Sequence, residues 1–219
     1  MENDFSFLYA DAELVSLLSS INQSDTKCDV VHFLACHGIY HANFVLNRVG
    51  MILSDLNFDY RTIELGKIAG LLHDIGCIYG KHGHALASST LCEKFLCKVG
   101  ITPPEKEIIT HAIADHSGGK NIRSAVGAAL LIADKTDLSK HRILNSSPCD
   151  AYHKNLFLVE SVDITIHDGV MNIDFNAAKD FSPAILNEIW SKAFTVPVKA
   201  AKYLGLDTKF TVNCLPIEF

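Results

Sequence analysis

An adjacent histidine and aspartate, His73 and Asp74, stand in the otherwise apolar stretch AGLLHDIG at residues 69–76. The apolar residues around them recur at the spacing of a buried helix face, so both polar side chains are expected inside the protein. Burying them costs free energy unless a partner satisfies them. A bound metal ion is one such partner, and a hydrogen-bonded His–Asp pair in the core is another. This stretch alone does not choose between the two.

Other histidines and carboxylates fall at comparable positions, near predicted helix ends or inside apolar runs. They are His41, His84, His111, His116 and Asp134. Imidazole and carboxylate ligands without thiolate suit Fe, Mn, Co, Ni or Zn more than copper. Since neighbouring residues of a helix point about 100° apart, His73 and Asp74 can flank one ion, or Asp74 can bridge two. The pattern favours a metal centre if the fold brings these residues together.

Six amphipathic or apolar segments predict that residues 1–150 are almost wholly helical. In chain order they are DAELVSLLSSI, HANFVLNRVGMIL, YRTIELGKIAGLLHDIG, HGHALASSTLCEKFLCKVG, TPPEKEIITHAIADHSGG and SAVGAALLIADKTDL. Gly76 is predicted to end the third segment as a C-cap. Thr102 is predicted to begin the fifth as an N-cap ahead of two prolines.

The pattern changes after about residue 150. Alternating apolar residues on both sides of Asp168-Gly169 predict a β-hairpin with a type I′ turn. A helix is then expected from Ser182, with Pro183 in its first turn and Pro197 interrupting it or beginning a second helix. KFTVNCL is predicted as the last strand. The expected fold is mainly α, a helical bundle over 1–150 with a small α+β C-terminal appendage (151–219) packed on it.

Composition excludes several classes of protein. The formal net charge of -6 argues against a general nucleic-acid binder and does not favour an anionic membrane surface. The apolar stretches are too short to span a bilayer, and the opening MENDFSFLYADAEL lacks the basic region of a signal peptide. The 7 cysteines form no C-x-x-C pair, which is typical of reduced thiols in a cytosolic protein. We therefore expect a cytoplasmic protein with neither a nucleic-acid nor a membrane partner.

The order H…HD…D, here His41, His73-Asp74 and Asp134, resembles the HD-domain superfamily of metal-dependent phosphohydrolases. The stretches HANFV, LLHDIG and LIADKTD match the family pattern in order, and the similarity covers about residues 30–145. The resemblance implies that residues 1–150 form an HD-type helical metal-binding domain.

Two further histidines resemble the members that bind two metals. His84 in GHALAS and His116 in AIADHSGG fit the places where those members add ligands. The latter stretch is similar to the dinuclear branch that hydrolyses dinucleoside tetraphosphates. His111, five residues before His116 and expected on nearly the same side of the helix, is a further candidate, either as a ligand or as the proton donor to the leaving group.

One position departs from the family. Many members follow HD with IGK, whose lysine contacts phosphate, but Cys77 stands there in this chain. Lys81 is the candidate substitute, and Lys135 and Arg142 are the other cations near the predicted site.

The resemblance implies a metal-dependent phosphohydrolase that acts on a nucleotide or a small phosphate ester or anhydride through a metal-activated hydroxide. The expected metal ligands are His41, His73, Asp74, His84, His116 and Asp134. They would hold two divalent ions, Fe or Mn, with Ni, Co, Zn or Mg as alternatives. Two other functions use the same core: a mixed-valence di-iron oxygenase and a non-catalytic nucleotide-binding sensor. The expected partner is a small phosphorylated substrate, and a homodimer is predicted.

Overall fold

The computed structural model describes residues 6–25, 37–119, 121–142, 151–182 and 191–217. Within these ranges the helices are α1 (Ser6–Tyr9), α2 (Ala12–Asp25), α3 (Ile39–Asp55), α4 (Tyr60–Leu72), α5 (His84–Leu96), α6 (Pro103–Asp115), α7 (Ala125–Lys135), α8 (Ala151–Leu158) and α9 (Ser191–Tyr203). Short 3₁₀ helices cover Ile75–Tyr79 and Lys140–Arg142. The strands are β1 (Val159–His167), β2 (Val170–Ala177), β3 (Asp207–Val212) and β4 (Leu215–Pro216). The predicted mainly helical fold with a small C-terminal sheet is confirmed.

The most apolar helix, α7, lies inside the bundle and is buried from Val126 to Asp134. Helices α3, α4 and α6 pack around it. Helices α3 and α4 approach closely at Gly70, where an added Cβ would lie 2.8 Å from the Cα of Leu46. This packing places the ends of several helices beside one another in the core.

Two predicted helix boundaries have different outcomes. Thr102 is the N-cap of α6, as predicted, and its main-chain N–H donates to the Glu105 carboxylate (2.7 Å). The prediction that Gly76 is a C-cap is wrong, because α4 ends at Leu72 and Gly76 lies inside the first 3₁₀ helix. Gly76 is needed for close packing instead, since a Cβ there would lie 2.5 Å from the main-chain oxygen of His84.

The predicted hairpin is formed by β1 and β2, which pair antiparallel. Its turn residues Asp168 and Gly169 both have positive φ angles (51° and 76°), as a type I′ turn requires. Strand β2 pairs parallel with β3, and β3 pairs antiparallel with β4. The predicted single last strand is therefore two strands, separated by a turn at Asn213 and Cys214 with positive φ angles (50° and 65°).

Helix α9 runs without a break through Pro197, contrary to the prediction. Residues on both sides of the proline, including Phe194, Val196 and Ala200, are buried, and this packing holds the helix despite the missing N–H. The predicted start of this helix at Pro183 lies outside the described residues.

The C-terminal elements pack on the helical bundle. Helix α9 lies against α7, and the Lys199 ammonium donates to the main-chain oxygen of Gly119 (2.9 Å). Arg48 of α3 donates to the main-chain oxygens of Thr136 (3.1 Å) and Val162 of β1. The division into two units at residue 150 stays a prediction. Among the described residues, no helix is both long and apolar enough to cross a membrane.

Candidate metal centre

The fold brings six of the predicted residues together from five helix ends. His41 lies in the first turn of α3, His73 is the C-cap of α4, Asp74 precedes the first 3₁₀ helix, His84 begins α5, His116 is the C-cap of α6 and Asp134 lies in the last turn of α7. All are buried except His84, which is partly buried. Residues far apart in sequence thus form one polar cluster inside an apolar bundle.

Four of these residues surround one point, which we name site A. The Nε2 atom of His41 lies 3.1 Å from Nε2 of His73, 3.5 Å from Oδ2 of Asp74 and 3.3 Å from Oδ1 of Asp134. His73 Nε2 lies 3.2 Å from the same Asp74 oxygen and 3.9 Å from the same Asp134 oxygen. Ligands about 2.1 Å from one ion are roughly 3.0–3.4 Å apart when adjacent and at most about 4.2 Å apart when opposite, so separations of 3.1–3.9 Å are compatible with one shared cation.

A second point, site B, lies on the other side of Asp74. The Oδ1 atom of Asp74 lies 3.4 Å from His84 Nε2 and 3.3 Å from His116 Nε2. The two histidine nitrogens are 3.1 Å apart. Asp74 Oδ1 is buried and accepts no hydrogen bond within the described residues. One carboxylate therefore presents each of its oxygens to a different pair of histidines, and one of those oxygens needs a cationic partner.

All four histidines use the other ring nitrogen to donate a hydrogen bond. Their Nδ1 atoms bond the Asp137 carboxylate (2.6 Å, from His41) and the main-chain oxygens of Gly70 (2.8 Å, from His73), Lys81 (2.7 Å, from His84) and Ile113 (2.6 Å, from His116). In a neutral ring the Nε2 atom then carries a lone pair, so in each site two lone pairs face each other. Metal-ligating histidines are held in this way. The residues present fit divalent metal ions.

The carboxylates of the cluster favour their charged form. Burial opposes ionisation of Asp74, but the neighbouring His73 and His116 hold its pKa well below the ordinary value. The pKa of Asp134 is also held well below its usual range, since Lys135, at 2.5 Å, and the nearby histidines outweigh the effect of burial. Both carboxylates are thus negative at neutral pH and attract cations.

Comparison with known proteins identifies this arrangement. Residues 38–144 match the family model of the HD domain. The chain contains an HD domain. All six converging residues lie within the matched range, and the predicted resemblance to the HD domain is confirmed.

Two known proteins are similar to this chain. Ribonuclease Y of Chlorobium luteolum (strain DSM 273 / BCRC 81028 / 2530) is 27% identical over 156 residues, which cover 66% of this chain and 28% of that protein. The chain therefore spans less than a third of that relative's length. A solved structure of a predicted HD superfamily hydrolase from an uncultured Thermotogales bacterium is 22% identical, with a TM-score of 0.45, and the match covers 58% of this chain and 67% of that chain.

Sequence analysis missed one residue of the HD domain site, Asp137. Its carboxylate is buried and accepts the Nδ1 proton of His41, and Arg142 Nε lies 3.7 Å away. The available signal was its position three residues after Asp134 in ADKTD, about one helical turn further on. His37 lies beside the cluster, and its ring centroid is 6.0 Å from that of His41 in an edge-to-face arrangement.

His111 is the predicted residue that the fold does not bring to the HD domain site. It is exposed on α6 and lines a small cleft with Asp115 and Arg123. Five residues of helix amount to about 500°, so His111 is turned by roughly 140° from His116 rather than sharing its side. The expectation of a shared side is wrong, and this placement gives no support to a role as ligand or proton donor.

Lys81 lies beside the cluster, between the first 3₁₀ helix and α5. Its side chain is exposed, but partial loss of water around the ammonium group and the charges of Arg142 and Lys135 lower its pKa, while the negative charge of Asp74 opposes that effect. Lys135 and Arg142 are close enough to influence Lys81, and we name these three residues the cationic rim. Positive charge therefore gathers next to the two sites of the HD domain.

Proposed function

We propose that this HD domain hydrolyses a phosphate ester or anhydride in a small phosphorylated molecule, with a nucleotide as the expected substrate, and that it uses two divalent ions. The observation that carries the proposal is the position of Asp74, whose two oxygens each face a separate pair of histidine nitrogens 3.1 Å apart. A single structural ion would not need this second pair.

Each of the two ions would be bound by its own set of residues, with Asp74 common to both. His41, His73, Asp74 and Asp134 would hold the ion of site A, and Asp74, His84 and His116 that of site B. When bound, two such ions lower the pKa of water toward neutrality and neutralise charge on phosphoryl oxygens. Nitrogen and carboxylate oxygen donors suit Fe or Mn, with Ni, Co, Zn and Mg as alternatives.

The cationic rim supports a phosphorylated substrate. Lys81 lies near the Asp74 carboxylate, Lys135 beside that of Asp134 and Arg142 beside that of Asp137. The repulsion that Lys135 and Arg142 exert on Lys81 is relieved when an anion binds between them. Three cations suit more than one phosphate group, which favours a nucleotide or a dinucleoside polyphosphate over a simple monoester. Lys81 takes the phosphate-binding role that a lysine at position 77 would have had.

Phosphate release tests the proposal. Protein purified under anaerobic conditions is loaded with Mn²⁺ or Fe²⁺ and given nucleotides, dinucleoside polyphosphates, small phosphate esters and a single-stranded RNA. The RNA is included because one relative is named a ribonuclease. The expected result is turnover of one small-molecule class that Asp74→Ala abolishes and that Asp55→Ala, which changes an exposed aspartate at the end of α3, leaves intact.

Three other outcomes would contradict the proposal. Cleavage confined to RNA would show a nucleic-acid substrate instead. Oxygen consumption by the iron-loaded protein without phosphate release would favour the di-iron oxygenase. Tight nucleotide binding without turnover of any kind, with both ions present, would favour the sensor.

A further inference from the structure

A buried thiol lies next to site B. Cys77 is 2% exposed, and it stands three residues after Asp74. One potential ligand atom from each of Asp74, Cys77 and His84 lies within 4.8 Å of the others. Sequence analysis noted this cysteine only as a departure from the family pattern, but its neighbours are two of the expected metal ligands.

The local backbone explains this proximity. Asp74 is the N-cap of the 3₁₀ helix Ile75–Tyr79, and the N–H of Cys77 donates to the Asp74 main-chain oxygen (2.9 Å). With about 3.0 residues per turn, side chains three apart in a 3₁₀ helix project in the same direction. Gly76 lets the first turn of α5 lie against this helix, because an added Cβ would be 2.5 Å from the His84 oxygen. His84 is thereby brought to the same side.

Site B also has fewer ligands than site A. Among the described residues, Asp74, His84 and His116 meet at site B with their nitrogen and oxygen atoms 3.1–3.4 Å apart, whereas four residues surround site A. A sulfur about 2.3 Å and a nitrogen about 2.1 Å from one ion are at most about 4.4 Å apart. Atoms within 4.8 Å of one another therefore need only a small adjustment to share an ion.

We propose that Cys77 is a thiolate ligand of the ion in site B. The inference rests on the two-ion centre of the proposed function. On binding, the sulfur forms a bond to the ion and its proton leaves to solvent. Thiolate ligation selects zinc or iron over magnesium, so it narrows the choice of metal at this site.

X-ray absorption spectroscopy of the 219-residue protein loaded with Zn²⁺ tests this inference, with the zinc content measured by elemental analysis. The expected result is two zinc ions per chain and sulfur scattering at about 2.3 Å, with an average of one sulfur neighbour for every two zinc ions. Cys77→Ser should remove the sulfur signal. Cys92→Ser is the matched control, because Cys92 is equally buried on α5 and its thiol donates to the Ser89 main-chain oxygen.

The outcomes separate this inference from the proposed function. Two bound ions with only nitrogen and oxygen neighbours would overturn ligation by Cys77 and leave the proposed function standing. A sulfur signal that persists in Cys77→Ser would also overturn it. Protein that binds no zinc would overturn both. Should Cys77→Ser fail to fold, as judged by circular dichroism, the wild-type spectrum and Cys77→Ala supply the test.

Discussion

The two metal sites share Asp74 but differ in how the fold supports their histidines. In site A the side chains of His41 and His73 are 0% exposed, and the Asp137 carboxylate supports His41. In site B the side chain of His84 is 13% exposed, and its ring is held by the main-chain oxygen of Lys81 in a turn. Site A is part of the core, whereas site B depends on the docking of the first turn of α5. We therefore expect site A to bind its ion more tightly.

Among the substitutions considered, the largest effect on metal content is expected at Asp74, the residue that the two sites share. Asp74→Ala removes a ligand atom from each site and the negative charge that both ions share, and it leaves four histidines facing one another. We expect the metal content to fall from two ions per chain to none after dialysis, as measured by elemental analysis. Retention of one ion would show that one site is complete without Asp74.

The comparison between the sites is tested most directly by His84→Ala. This change removes a ligand of site B alone, so one ion should remain and turnover should fall by more than about 100-fold. His167→Ala is the matched control, because His167 is exposed at the end of β1. Loss of both ions from His84→Ala would show that the sites bind cooperatively rather than with separate affinities.

A smaller effect is expected from Asp137→Asn, which keeps every ligand of site A. Asparagine can still accept the His41 hydrogen bond but lacks the negative charge that raises the basicity of the ring. We expect the affinity of site A for its ion to fall by about 10–100-fold while site B is unchanged. Competition with a metal chelator measures both affinities. Equal weakening at the two sites would contradict the separate support inferred for site A.

The two sites also differ in what the sequence could reveal. The ligands of site A were predictable because His41, His73-Asp74 and Asp134 interrupt apolar segments, where a polar residue needs a partner. Asp137 was not, because its partner His41 is 96 residues away and only the packing of α3 against α7 joins them. His111 is an error of the opposite kind. It was predicted as a site residue because histidine is a suitable ligand, but it lies on a different side of α6 from His116. Cys77 was not predicted as a ligand, because periodicity does not show that a 3₁₀ helix follows His73-Asp74.

The smallest effect is expected far from both sites, at the opposite end of the helix that carries His116. Glu105 near the start of α6 accepts hydrogen bonds from Arg61 (2.5 and 2.7 Å) and from the Thr102 N–H (2.7 Å). These bonds, those from Arg61 first, lower its pKa from 4.5 to about 2. Since the pair is partly exposed and screened by solvent, Glu105→Ala should cost about 1 kcal/mol of unfolding free energy at pH 7.

The pH dependence of this loss distinguishes a stability effect from a metal effect. Because the folded-state pKa of Glu105 is depressed, its contribution is complete above pH 4.5 and disappears as the pH falls toward 2. Urea unfolding should therefore show a difference between wild type and Glu105→Ala that is full at pH 7 and reduced at about pH 3. Two ions should stay bound to the variant at pH 7. If Glu105→Ala lost the ion of site B, the weaker ion binding at that site would be due to the stability of α6 as a whole. It would then not be due to the docking of His84 in the first turn of α5, which the comparison of the two sites assumes.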